Sequence, residues 1–250
     1  MGNEGTLIVT GGGRGIGAAV AKLGAARGYA VAVNYQSNEA AAQKVVHEIQ
    51  AAGGRALAVG GDVSSEETVH RLFATAEREL GPITALVNNA GITGKAGRVE
   101  ALELATLERV LAVNVVGTVL CAREAVRRMS TRHGGKGGVI VNLSSRSSEL
   151  GGSGEWVHYG LSKGAIDTFT VGLAREVGSE GIRVNAVCPG IIDTEIHAAA
   201  GARDRLPNLV ATIAIPRIGQ PEEVAEGVIW LLSPAASYIT GVILKISGGR

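Results

Sequence analysis

"TLIVTGGGRGIG", residues 6–17, decides how this chain folds. A short β-branched run breaks at Thr10 into a loop with glycine at positions 11, 12, 13, 15 and 17, and helical spacing of small and apolar residues begins behind it. Strand, glycine turn and helix in that order open a nucleotide-binding βαβ unit. Glycine lets the backbone turn sharply and approach a pyrophosphate, which then rests on the helix N-terminus, where unpaired N–H groups and the dipole favour an anion. Gly11, Gly15 and Gly17 give Thr-Gly-x-x-x-Gly-x-Gly rather than G-x-G-x-x-G, with Arg14 and Ile16 between them. A tight turn needing small residues explains one or two of these positions, not all of them.

The same alternation continues along the chain. Short, almost continuously apolar runs at 6–10, 30–35, 56–59, 85–88, 138–144, 183–189 and 241–246 read as seven strands covered on both faces. Segments 15–27, 39–52, 65–80, 106–133, 156–178 and 221–232 carry helical spacing. Ser64 with Glu67 reads as a capping box, and Pro221 suits a first helical position. The expectation is an α/β fold: a doubly wound, Rossmann-type, seven-stranded parallel sheet with helices on both faces. Residues 1–250 show no linker or repeat, so one domain is expected.

Composition narrows the function classes. With 250 residues, 37 glycines, 3% aromatic residues and a net charge of +1, the chain suits layered α/β packing and shows no general pull toward nucleic acid or acidic membrane. The basic run Arg123, Arg127, Arg128, Arg132, His133 reads as a helix end complementing its dipole. Cys121 and Cys188 lie in apolar runs without metal-like spacing, which fits a reducing compartment. Neither a signal-peptide pattern nor an apolar run of the ~20 residues that cross a bilayer is apparent, so a cytoplasmic protein is expected.

Cofactor preference is read after the second strand, where NAD-selective folds place an acid against the ribose 2′-hydroxyl. Here Asn34, Tyr35, Gln36, Ser37 and Asn38 are uncharged. An acid would repel a 2′-phosphate, whereas Asn34, Gln36 and Ser37 can donate to one and Arg14 can add a cation. NADP is favoured over NAD.

A second stretch, "YGLSK" (159–163), puts a phenol and an ammonium four residues apart, on one helix face. At roughly 5 Å and an effective dielectric near 20, Lys163 would favour the Tyr159 phenolate by about 3 kcal/mol, bringing its pKa from about 10 toward neutrality. A residue so tuned can give or take the proton that carbonyl–alcohol interconversion requires.

With "TGGGRGIG", "NNAG" (88–91), "YGLSK" and "PGIIDT" (189–194) in order, the chain resembles the short-chain dehydrogenase/reductase family end to end, and is similar to its 3-oxoacyl-carrier-protein reductases and sugar dehydrogenases. The resemblance implies a nicotinamide cofactor and a Ser–Tyr–Lys–Asn set: Tyr159 as general acid/base, Lys163 on the nicotinamide ribose, and Asn114 holding a water that leads from Lys163 to solvent. It implies Ser145 as the serine, fourteen rather than thirteen residues before Tyr159, with Ser147 as the alternative. Asn114 can equally be a polar residue satisfied within a helix kink. The resemblance gives the glycine loop to the pyrophosphate, Asp62 and Val63 to the adenine, and Asn88, Ala90 and Gly91 to the adenosine ribose and the sheet. Pro189, Gly190, Ile192 and Thr194 would border the nicotinamide. Asp62 has a plain reading too, as a turn residue. A homotetramer is implied, packed through 106–133, 156–178 and the C-terminal "ILKISGGR" (243–250).

Specificity is expected in a lid at 193–213, with Trp156 and His158 as candidate pocket residues. The reading is an NAD(P)-dependent oxidoreductase acting on a small-molecule carbonyl or alcohol. A lyase or epimerase on this fold, and a non-catalytic dinucleotide-binding regulator, are the alternatives.

Overall fold

The computed structural model describes residues 5–194, 210 and 213–250. Seven strands run parallel in one sheet: β1 (Thr6–Val9), β2 (Ala30–Tyr35), β3 (Ala56–Gly60), β4 (Ile83–Asn88), β5 (Gly138–Leu143), β6 (Ile182–Pro189) and β7 (Ile243–Ile246), in the order β3-β2-β1-β4-β5-β6-β7. The chain leaves β1 toward β2 on one side and resumes at β4 on the other, so the order reverses there and a crevice opens at the carboxyl ends.

Alternate residues of each strand serve opposite cores, which is why the strands read as unbroken apolar runs. Leu7, Val9, Val31 and Val33 pack under α1 (Gly15–Ala26), α2 (Glu39–Ala51) and the helix at Pro221–Leu232. Ile8, Ala32, Leu86 and Ile140 pack on the other face under α3 (Glu66–Leu80) and the two long helices that follow. Those are α4 (Leu104–Leu111) leading through a π-helical turn, Ala112–Gly117, into α5 (Thr118–Met129), and, after the short α6 (Ser147–Leu150), α7 (Val157–Val177). The helix at Pro221–Leu232 is α8.

Four sequence readings need correction. The helix expected at 106–133 starts at Leu104, is interrupted by the π turn and ends at Met129. Taken whole, Leu104–Met129 is long and apolar enough by length and composition to cross a membrane, contrary to the expectation that no segment is. Its residues Cys121, Ala122, Ala125 and Met129 are fully buried in the core beneath the sheet. The cap of α3 is Ser65, accepting from Thr68 N–H, because Ser64 is committed to Asp62. The last strand begins at Ile243 rather than at residue 241. Pro221 does open α8, behind Gln220 and its reciprocal partner Glu223.

The basic run after α4 is spent on carboxylates. Arg127 and Arg128 both bond the buried Glu124, Arg123 bonds Glu66, and Arg132 bonds Glu180.

Candidate active site

The glycine loop is built as its residues require. Gly11 and Gly15 have φ of 61° and 51°, the left-handed region that side chains avoid. Gly17 has no such constraint, but a Cβ there would stand 2.5 Å from Asn89 Nδ2 and from the Gly11 carbonyl. The Asn89 amide donates to the carbonyls of Thr10 and Gly11, and the Thr10 hydroxyl accepts from the N–H groups of Asn89 and Ala90. The end of β4 therefore clasps the loop. Of the two roles read for Asn88, at the ribose and in the sheet, its side chain takes the second: it is buried in the sheet, bonded to Asn142 and to the Thr118 carbonyl. Asn89, one residue on, is the member of "NNAG" that reaches the loop, and the doubled asparagine was its only sequence signal.

A cleft of about 250 Å³ lies along this loop. Twelve of the expected cofactor residues line it: Gly11, Arg14, Gly15, Ile16, Asn34, Gln36, Ser37, Asp62, Val63, Ala90, Gly91 and Thr194. Gly17, Asn88, Tyr159, Lys163, Pro189, Gly190 and Ile192 do not. Pro189 ends β6, Gly190 packs on Ser247, and Ile192 makes a parallel bridge with Gly219. Thr194 crosses the cleft to meet Gly15.

The cleft's chemistry fits a dinucleotide. No side chain caps the N-terminus of α1 and its first turn holds no acid, so its N–H donors and dipole suit a phosphate. At the far end Arg14, Gln36, Ser37 and Asn38 gather. Asn34, expected among the donors to a ligand, is consumed internally: its amide donates to the carbonyls of Val59 and Gly61 and its oxygen lies 3.4 Å from Gly11 N. Asp62 takes both of its readings. It caps its own turn through Ser64 N–H at 2.9 Å and the Ser64 hydroxyl at 2.7 Å, and it lines the cleft. Arg109, 47 residues away in sequence, bonds its other oxygen at 2.6 Å, and Gln36 donates to the same atom. Although partial burial opposes it, these bonds hold the Asp62 carboxyl below its ordinary range.

Past Gly91 the cleft gives onto the second group of residues. A Cβ on Gly91 would lie 3.4 Å from Asn114 Oδ1 and 3.6 Å from Lys163 Nζ. Lys163 is buried, donates to the Leu143 carbonyl at 2.6 Å, and stands 5.7 Å from the centre of the Tyr159 ring. The Ser145 hydroxyl lies near enough to the Tyr159 phenol to lower its pKa, and it accepts from Ser147 N–H at 3.1 Å. Ser147 itself begins α6. Between Ser145 and Tyr159, Gly151, Gly152 and Gly154 all have left-handed backbones, and these turns return the chain to the serine.

The electrostatics differ from the sequence estimate. Burial pushes the Tyr159 phenol up to about 12, opposed by the nearby Ser145 hydroxyl. The same burial pushes Lys163 down to about 8. Desolvation dominates both groups, because each charged form loses water on burial that its surroundings do not replace.

Asn114 sits in the π turn, where one extra residue per turn frees backbone for side-chain partners. Its oxygen accepts from Ile92 N–H, and its amide donates to the Ile92 carbonyl and to Ser162 Oγ. The kink reading of Asn114 therefore describes its side chain, and a water held by that amide finds no spare donor. His158 is buried with Nε2 2.9 Å from the Thr93 carbonyl, a packing and anchoring role. Trp156 sits just before α7 with its indole nitrogen buried. The expected lid falls largely on residues 195–209, 211 and 212, outside the described residues.

A doubly wound sheet with a glycine-bound cleft at its switch point, leading to a Ser–Tyr–Lys cluster, defines a dinucleotide-linked oxidoreductase fold. The family described as enoyl-(acyl carrier protein) reductase matches residues 11–250. An uncharacterized oxidoreductase of Escherichia coli, YgfF, is 51% identical over 97% of this chain and 98% of its own length. Glucose 1-dehydrogenase 2 of Bacillus subtilis is 37% identical over 98% of this chain and 93% of its own length. A short-chain dehydrogenase of Burkholderia cenocepacia, solved with NADP, superposes with a TM-score of 0.90 at 35% identity, over 99% of this chain and 98% of the other. The chain belongs to the short-chain dehydrogenase/reductase family and is an oxidoreductase of it.

Proposed function

We propose that this protein is an NADP-preferring oxidoreductase that interconverts a small-molecule carbonyl and its secondary alcohol, with Tyr159 as the group that gives or takes the proton. The observation that carries the reading is the buried Lys163 standing 5.7 Å from the Tyr159 ring and against Gly91 of the cleft, with the Ser145 hydroxyl near the phenol. A regulator that only binds dinucleotide has no use for that assembly.

NADP, bound along Gly11, Gly15, Arg14 and the Gln36–Ser37 rim, would supply or accept the hydride. Everything else falls to the chain. The phenol keeps its proton at neutral pH, because burial holds it near 12, so it is ready to protonate a carbonyl oxygen as negative charge develops there. Ser145 would donate to that same oxygen and hold it in line with Tyr159. Lys163 contributes a cation close to both. Preference for the 2′-phosphate rests on the absence, among the described residues, of an unpaired acid at the cleft's far end: Asp62, the carboxylate lining it, is already neutralised by Arg109.

Assembly and location belong to the same proposal. Leu104 on α4, Val116 in the π turn and Val119 on α5, with Val157 and Leu161 on α7, expose apolar side chains on helices implied to pack against another copy, as in a homotetramer. A cytoplasmic setting is supported by two buried free thiols. Selection among substrates is assigned to the 193–213 segment by its place after β6.

The decisive experiment is Tyr159→Phe. It should bind NADPH as the parent does, while NADPH oxidation with a panel of diketones, ketoesters and quinones falls by ~10²–10⁴-fold. Reduction by this variant at near-parental rate would falsify the assignment.

A further inference from the structure

Asp167 stands four residues after Lys163 on α7, so the two side chains leave the same helix face with Cβ atoms about 5–6 Å apart. Nothing about helix stability recommends it. Aspartate is a weak helix former in an interior position. An acid placed C-terminal to its lysine is also the less favourable order for an i,i+4 pair. The residue is only partly exposed, and its Oδ1 is buried without a hydrogen-bond partner among the described residues. A buried carboxylate oxygen left unbonded is costly unless its charge serves a neighbour.

The neighbour on the same side is Lys163. Of its three N–H donors, one is given to the Leu143 carbonyl. The titratable groups that face it are Tyr159 and Asp167 on its own helix and Cys188 at the end of β6. Tyr159 keeps its proton, and burial raises the Cys188 thiol above its ordinary range, so neither carries charge near neutrality. Arg146 and Glu149 act on Cys188 from beyond it. Asp167 is thus the anion that this cluster presents to the lysine.

We propose that Asp167 is a positioning residue whose carboxylate keeps Lys163 in its charged form beside the tyrosine. It acts through the lysine and touches neither substrate nor cofactor. The attraction from Asp167 opposes the burial that lowers Lys163. The proposal rests on the oxidoreductase reading for its purpose, though not for its test.

The test is a titration of the free protein labelled with ¹³C-lysine, which carries six lysines; the Lys163 signal is identified as the one missing from Lys163→Arg. In Asp167→Asn the midpoint of the Lys163 Cε shift should move to lower pH by about one unit. In Asp167→Glu it should return to within a few tenths of the parent. The alkaline limb of NADPH affinity should move with it. If Asp167→Asn does not fold, Asp167→Ser gives the same reading. An unmoved midpoint in a folded variant, or an equal shift in Asp167→Glu, overturns the proposal while leaving hydride transfer by Tyr159 untouched.

Discussion

Lys163 Nζ donates to the carbonyl of Leu143, the last residue of β5, at 2.6 Å while lying 5.7 Å from the centre of the Tyr159 ring. The strand end thus determines where the helix-borne cation sits. The lysine is fully desolvated against that carbonyl, and its charge is held at a cost the fold must carry.

That cost gives a pH signature. Lys163 titrates at about 8 when folded against 10.5 as an ordinary lysine, so the unfolded chain binds the extra proton between those limits. Folding stability tied to this group therefore rises as pH climbs from 8 to 10.5, and is lowest below 8. Lys163→Met should be more stable than the parent by about 3 kcal/mol at pH 7. The gap should close across that window in urea titrations at stepped pH. A gap that does not change with pH would remove the desolvation argument.

Ser145 is the serine whose hydroxyl lowers the Tyr159 pKa, and Ser147 donates its backbone N–H to Ser145. Ser145→Ala should lower kcat by ~10²–10³-fold with NADPH binding unchanged, whereas Ser147→Ala should stay within a few-fold of parent. Steady-state kinetics on one responsive substrate separates them, and equal losses would contradict the geometry.

Asn89 carries two bonds to the glycine loop, to the Thr10 and Gly11 carbonyls. Its replacement by alanine leaves both carbonyls without that donor, a loss of about 1–3 kcal/mol. NADPH affinity should fall about tenfold or more by fluorescence titration, and the unfolding midpoint should drop with it. Retained affinity would mean that the loop holds its shape unaided.

Arg109 neutralises Asp62 at 2.6 Å inside the cleft. Arg109→Met should leave the Asp62 carboxylate without its cation, beside Gln36 on the rim where the 2′-phosphate is proposed to lie. NADPH affinity should then fall and NADH affinity hold or improve, moving the ratio of the two by roughly tenfold. Parallel Kd measurements decide it; an unchanged ratio would place the 2′ position away from Asp62.

The sequence alone determined the strand–helix order, the parallel sheet and the helix face shared by Tyr159 and Lys163. Those features follow from local steric and periodic rules: β-branched runs extend, glycine turns, and four residues make just over one helical turn. Only the tertiary structure decided which serine meets the phenol, that Asn89 rather than Asn88 clasps the loop, and that Arg109 reaches across 47 residues to occupy Asp62. It also reversed the expected acidity of Tyr159, because a pKa depends on how much water each group loses, and burial is a property of the packed chain rather than of sequence spacing.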